Sequence, residues 1–321
     1  MSNDIMVSVY CLTYNHERYV RDALESFVNQ KTNFRYEVLV HDDASTDHTA
    51  QIIREYAAKY PDVIRPILQT ENQYSKQVDI GPTFVRPCVR GKYIASCEGD
   101  DYWCDDNKLQ KQVDFLEAHP EYAACVHDTK ILDCRTGEMN HGMYGGETDR
   151  DLTFKEIVNY SGACFHTSSV MARREFFWTP EALQMHEFGD YPRAVYLRLE
   201  GKVRYLKDAM SVYRKFSEGS WTVRNQCDMT REKRIRGQKA RTEFTSKMYR
   251  YCVEHSVPEE YRKAAKEVAD RDFLQLMVMQ KGSICLLTSY LKRFMGLSNE
   301  KKLHVLNTVW DNWTMVKNGK K

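Results

Sequence analysis

The sequence has no CxxC pair, no apolar run approaching the roughly 20 residues of a membrane span, no internal repeat and no low-complexity tract. The first absence, in a chain whose ten cysteines are scattered over 321 residues, argues against a zinc knuckle and against a dithiol redox site. The second argues against a membrane-embedded enzyme. The opening residues MSNDIMVSVYCL lack a charged segment leading into a signal-length apolar stretch, so a cytoplasmic protein with reduced thiols is expected.

What is present is an ordinary globular composition, 42% hydrophobic and 29% charged, enough for one large domain plus an appendage. The formal net charge of +2 hides an imbalance: residues 222–321 hold 21 Lys or Arg against 11 Asp or Glu, which leaves the first 221 residues acidic. An acidic body is followed by a basic tail.

Residues 7–12 and 36–40 read as apolar strands, and each runs into a polar loop and then a helical stripe. The first stripe is Val20, Ala23, Leu24, Phe27 and Val28; the second is Ile52, Ile53, Tyr56, Ala57 and Tyr60. Residues 64–68 and 93–97 give two further strands, and Leu109, Val113 and Leu116 mark another helix. Alternation of this kind predicts an α/β fold with a mainly parallel sheet flanked by helices. Ligands bind beyond the carboxyl ends of such strands. Three polar clusters fall there: Thr13-Tyr14-Asn15, Asp42-Asp43, and Glu98-Gly99-Asp100-Asp101. The last places three carboxylates in four positions, which either water or a cation must accommodate.

Taken in order, VSVYCLTYNHERYVRDALESFVNQ, YEVLVHDDASTDHTAQIIREY and GKYIASCEGDDYWCDDNKLQKQVDFL resemble the family 2 glycosyltransferases, inverting enzymes of the Rossmann-like GT-A fold. The likeness is close over residues 5–128 and looser to about residue 222. It implies a GT-A domain over residues 1–222, with a nucleotide-sugar-binding half (1–128) and an acceptor half (129–222), followed by a basic helical region over 223–321. It also implies that Tyr14 lies against a base, that Thr13 lines the same pocket, and that Asp43 hydrogen-bonds the base. Glu98-Gly99-Asp100 stands where the family has its DxD motif, with Glu for the first Asp. Asp100 is then the ligand of Mn²⁺ or Mg²⁺, while Glu98 and Asp101 hold ribose or metal-bound water. Chemistry agrees, because a diphosphate cannot lie beside three carboxylates without a hard cation between them.

In the acceptor half, residues 163–171 resemble the stretch beneath the acceptor sugar, and Phe188-Gly189-Asp190-Tyr191-Pro192 resembles the segment carrying the general base, which makes Asp190 the catalytic candidate. An Asp beside Pro192 is also an ordinary helix start. Phe216 stands where relatives often place a His near the diphosphate, with Arg214 or Lys215 as possible substitutes. Cys125 and His127 have no partners at zinc spacing and read as structural.

The expected activity is transfer of a hexosyl or N-acetylhexosaminyl group from a nucleotide sugar, with UDP as the expected nucleotide, to a hydroxyl of a glycan or lipid-linked precursor in polysaccharide biosynthesis. The missing QxxRW signature favours addition of one sugar. A sugar-1-phosphate nucleotidyltransferase is the alternative enzyme, but it needs a Gly-rich loop after the first strand, and CLTYNHE has no glycine. A non-catalytic nucleotide- or glycan-binding relative is a third possibility, opposed by the intact Asp100 and Asp190. No nucleic-acid motif accompanies the basic tail. Peripheral contact with the inner face of a membrane is the sharper reading of its charge.

Overall fold

The protein is described by a computed structural model covering residues 4–143, 146–160, 163–185, 189–220, 223, 230–281 and 291–317. Phe188, named above, lies outside the described residues.

The four expected strands form as β1 (Ile5–Thr13), β2 (Arg35–Asp42), β3 (Ile64–Leu68) and β4 (Tyr93–Ser96). They pair in parallel, in the spatial order β3-β2-β1-β4. The expected helices are α1 (Val20–Val28), α2 (Thr49–Lys59) and α3 (Lys108–Ala118). Val20, Ala23, Leu24 and Phe27 recur at helical spacing, and all four are fully buried. They pack with Val7, Val9, Cys11, Val38, Val40 and Trp103 in the main core. Phe27 meets the edge of Trp103 with ring centroids 4.7 Å apart. Truncating a ring so placed costs about 3–5 kcal/mol.

The remaining strands are β5 (Tyr102–Trp103), β6 (Tyr122–Asp133), β7 (Met139–Asn140), β8 (Arg150–Asp151), β9 (Met171–Arg173) and β10 (Lys202–Lys215). β9 joins the two halves of the sheet, running antiparallel to both β4 and β6. β10 runs parallel to β6, and β5 lies antiparallel to β10. The sheet is therefore mostly parallel with helices at its flanks, as expected. Cys125 and His127 sit inside β6 and are fully buried.

The chain divides into two compact units. One comprises Met1–Thr153, Ala163–Trp178 and Tyr196–Cys227; the other comprises Phe154–Gly162, Thr179–Val195 and Asp228–Lys321. The division is thus not a single cut near residue 222. Two shorter helices explain the difference: in α4 (Phe154–Asn159), Phe154 stacks on Tyr261 at 4.6 Å; in α5 (Asp190–Glu200), Tyr191 meets Phe244 at 4.9 Å. The second unit is built on the long helices Arg231–Glu254 and Glu259–Lys281. Leu274, Val278, Leu297 and Val305 form a small core within it. No helix among the described residues is long and apolar enough to cross a membrane.

Candidate active site

The ends of β1, β2 and β4 lie side by side, because Thr13 is in register with Asp42 and Tyr10 with Ser96. Past those ends the loops are fastened to one another. Asn15, at φ 56°, donates its backbone N–H to Ser45 Oγ at 2.9 Å and accepts the Thr46 N–H on its Oδ1 at 2.8 Å. Asn is among the few residues that tolerate this left-handed conformation. Gly99 donates its N–H to the Leu12 carbonyl at 2.9 Å. A Cβ at position 99 would lie 2.4 Å from Thr13 Cγ2, so only glycine lets the acidic loop approach this closely.

That approach gathers Glu98, Asp100 and Asp101, whose carboxylate oxygens lie within 4.8 Å of one another. Glu98 is exposed, whereas Asp100 and Asp101 are buried. Asp100 Oδ2 accepts the Ser217 hydroxyl at 2.9 Å, and Asp101 Oδ1 accepts the Arg214 backbone N–H at 2.8 Å. Burial, reinforced by the charges of Asp100 and Glu98, pushes the Asp101 carboxyl well above the usual carboxylate range. The cluster is all-oxygen and anionic, a donor set suited to a hard divalent cation.

The end of β10 braces this loop. The Arg214 guanidinium is buried, lies 4.5 Å from the Tyr102 ring, donates to the Asp100 carbonyl at 3.0 Å and pairs with Asp22. Phe216 adopts φ 63°, strained for a bulky residue, under the Arg135 guanidinium at 3.5 Å. Arg214 is thus engaged by the protein itself rather than presented as a free cation.

His166 also reaches the cluster, with Nδ1 3.8 Å from Asp101 Oδ2 and its ring 4.4 Å from that of Tyr213. Its Nδ1 lies 2.8 Å from the Ser168 hydroxyl and 3.3 Å from the Ser168 backbone nitrogen, which ties the ring to the start of its own turn. Burial lowers its pKa to about 4, against the opposing pull of Asp100. Trp103 Nε1 donates to the Ser168 carbonyl at 2.9 Å and so fixes this segment to β5.

Of the residues singled out in the sequence, Thr13, Tyr14, Asp43, Glu98, Asp100 and Asp101 all stand at this one edge of the sheet. Thr13 is buried and donates its hydroxyl to the His41 carbonyl at 3.0 Å and to Asp42 Oδ1 at 3.1 Å. Tyr14 is half-buried. Asp43 is buried; its Oδ1 accepts the Gln73 N–H at 2.8 Å and its Oδ2 the Tyr74 N–H at 3.0 Å. Asp190 belongs to the other unit, in the first turn of α5. It keeps an exposed surface, yet the protein around it desolvates the carboxyl and raises its pKa, with Arg193 opposing. Ser217, His166 and the bracing role of Arg214 were not singled out by the sequence, since each meets its acidic partner across a long stretch of chain.

Residues 8–179 match the family model described as Glycosyl transferase family 2. The chain belongs to that family. An uncharacterized protein of Mycobacterium tuberculosis is 36% identical over 226 residues, which are 67% of this chain and 60% of that relative. The minor teichoic acid biosynthesis protein GgaA of Bacillus subtilis is 33% identical over 119 residues, 35% of this chain and 25% of GgaA. The chain therefore spans no more than 60% of the length of these relatives. Among solved structures, S. aureus TarS 1-349 in complex with UDP-GlcNAc superposes with a TM-score of 0.58 at 17% identity, covering 98% of this chain and 93% of that one. At that identity the likeness concerns the fold, which is GT-A.

Proposed function

We propose that this protein transfers one sugar from a nucleoside diphosphate sugar to a hydroxyl of a glycan or lipid-linked precursor, with inversion at the anomeric carbon and with the help of Mn²⁺ or Mg²⁺. The observation that carries the reading is the acidic cluster itself. Three carboxylates lie within 4.8 Å, and the two buried ones, Asp100 and Asp101, are met by a hydroxyl, a main-chain N–H and the nearby His166 ring rather than by a lysine or arginine head group of the described residues. A folded chain rarely keeps such a group unless a ligand completes it.

In this reading Asp100, with Glu98 and Asp101 beside it, holds the divalent ion, which when bound neutralises charge on the departing diphosphate. Ser217 fixes one Asp100 oxygen and leaves the other directed to the ligand. Arg214 holds the loop from behind. Tyr14 offers a ring face to the base, Thr13 supports the pocket floor, and the lone pairs of Asp43 not taken by residues 73 and 74 accept from the base edge. Asp190 takes the proton of the acceptor hydroxyl, and its raised pKa makes it a better base than an ordinary surface carboxylate. UDP is the favoured nucleotide, supported by family membership and by the UDP-GlcNAc complex of TarS, a protein of the same fold. The site faces the cytoplasm, and the basic helices rest on anionic membrane, a contact that vesicle flotation measures.

The deciding experiment is calorimetry of UDP with and without Mn²⁺ on wild type and Asp100→Asn. Wild type should bind UDP far more tightly with the ion, and the variant should lose that dependence while its circular dichroism stays native. Equal metal dependence in the two proteins would place the cation elsewhere.

A further inference from the structure

We propose that Tyr74 is a second aromatic wall of the nucleobase pocket, facing the base from the β3 side while Tyr14 faces it from the β1 side. This rests on the reading of the site as one for a nucleoside diphosphate sugar and adds to it a residue that sets base affinity.

The case begins with Asp43. Its backbone N–H donates to the Thr13 carbonyl at 3.0 Å, which places it directly beside Tyr14. Its carboxylate meanwhile binds the main-chain N–H groups of Gln73 and Tyr74, and its carbonyl accepts Asn72 Nδ2 at 3.1 Å. Three hydrogen bonds thus tie one short turn to one residue at the end of β2. The turn is closed on itself as well: Tyr74–Lys76 is a single 3₁₀ turn, Gln77 at φ 61° returns its N–H to the Tyr74 carbonyl at 3.0 Å, and Val78 donates to the Gln73 carbonyl at 3.2 Å. Tyr74 is therefore held by a rigid anchor rather than carried on a slack loop.

Its side chain is nonetheless 63% exposed and makes no ring contact or hydrogen bond with a described residue. A large ring fixed at a sheet edge and left mostly in water adds little to the core. Tyr14 and Tyr74 lie on opposite chain neighbours of Asp43, so a flat heterocycle whose edge meets Asp43 presents its two faces to the two rings. Stacking of this kind tolerates different bases, while Asp43 selects those with a ring N–H to donate.

The test uses the full chain with Mn²⁺ and calorimetry of two probes, UDP and inorganic pyrophosphate, the second having no base. Tyr74→Ala should weaken UDP by roughly 5- to 100-fold, the range for losing one base–aromatic stack, and leave pyrophosphate unchanged. Tyr74→Phe should bind both probes like wild type, because the ring is kept. If Tyr74→Ala binds UDP as wild type does, or loses UDP and pyrophosphate equally, the assignment is overturned while the reading of the site stands. If wild type itself binds neither UDP nor another nucleoside diphosphate, the reading of the site fails and the assignment falls with it.

Discussion

In the helical unit, Asp272 is fully buried and receives Arg241 Nε at 3.1 Å and Arg271 Nε at 2.8 Å, while Glu267 takes the buried Lys301 ammonium at 2.9 Å. In the sheet unit, Asp100 and Asp101 are also withdrawn from water, but they face a hydroxyl, a main-chain N–H, the His166 ring and each other. The buried Arg214 guanidinium nearby turns to the Asp100 carbonyl and to Asp22 instead. Burying a charge without a partner costs several kcal/mol, so a fold that only had to be stable would treat both groups as it treats Asp272. On the proposed reading, the contrast separates charges that the chain neutralises for itself from charges that it leaves for a ligand.

Asp190 breaks the pattern of its own unit. No hydrogen bond or ion pair joins its carboxylate to a described residue, and its pKa is raised where a paired acid would be held down. If it is the general base, Asp190→Asn should lower the transfer rate by roughly 10²- to 10⁴-fold, because the amide keeps the size but cannot accept the proton. UDP affinity should stay at the wild-type value. A transfer assay beside calorimetry checks both, and near wild-type turnover would make Asp190 an ordinary residue of the first helical turn.

The same substitution at a paired acid should do the opposite. Asp272→Asn leaves the buried Arg271 and the partly buried Arg241 without their counter-charge and should cost roughly 3–5 kcal/mol of stability, read as a lower urea midpoint. UDP binding by the folded protein should be unaffected. Asp100→Asn, in metal-free protein, should keep or raise the midpoint, since it removes one of the like charges that hold the Asp101 carboxyl high. A large loss in Asp100→Asn with none in Asp272→Asn would reverse the comparison.

The parallel half of the fold was legible because its apolar spacing is regular: the stripe from Val20 to Phe27 and the runs ending at Thr13, Asp42 and Ser96 each carry their own signal. β6 and β10 were not legible. β6 buries His127, Asp128 and Thr129 in mid-strand, and β10 changes register around Leu206, Ala209 and Ser211, so neither keeps a clean alternation. At the site, the acidic triplet is local and could be read directly. Ser217 meets Asp100 across 117 residues, and Arg214 meets Asp22 across 192. Contacts at that separation are made by sheet topology, and no short stretch of sequence contains them. The tie between Asp43 and the turn at Tyr74 was hidden for the same reason.

The smallest expected effect concerns the surfaces of the two regions rather than their interiors. Residues 222–321 carry 21 basic against 11 acidic side chains, the reverse of the body. Within the helical unit the large apolar side chains Leu291, Met295, Leu303 and Leu306 are 53%, 62%, 59% and 40% exposed. Lys292 and Arg293 are exposed beside the first two, and Lys302 is partly exposed beside Leu303. Exposed apolar side chains among cations fit an anionic lipid surface, where each Lys or Arg near the headgroups adds about 1 kcal/mol and the apolar groups enter the interface. The full chain should therefore float with phosphatidylglycerol vesicles and not with neutral phosphatidylcholine. Binding should weaken several-fold as salt rises from about 0.05 M to about 0.5 M, where the screening length drops well below 10 Å. A Leu303→Ser, Leu306→Ser double variant should weaken it again at low salt without changing UDP affinity. Equal flotation with neutral and anionic vesicles would remove the charge from the explanation, and failure to float at low salt would leave the basic helices as scaffold alone.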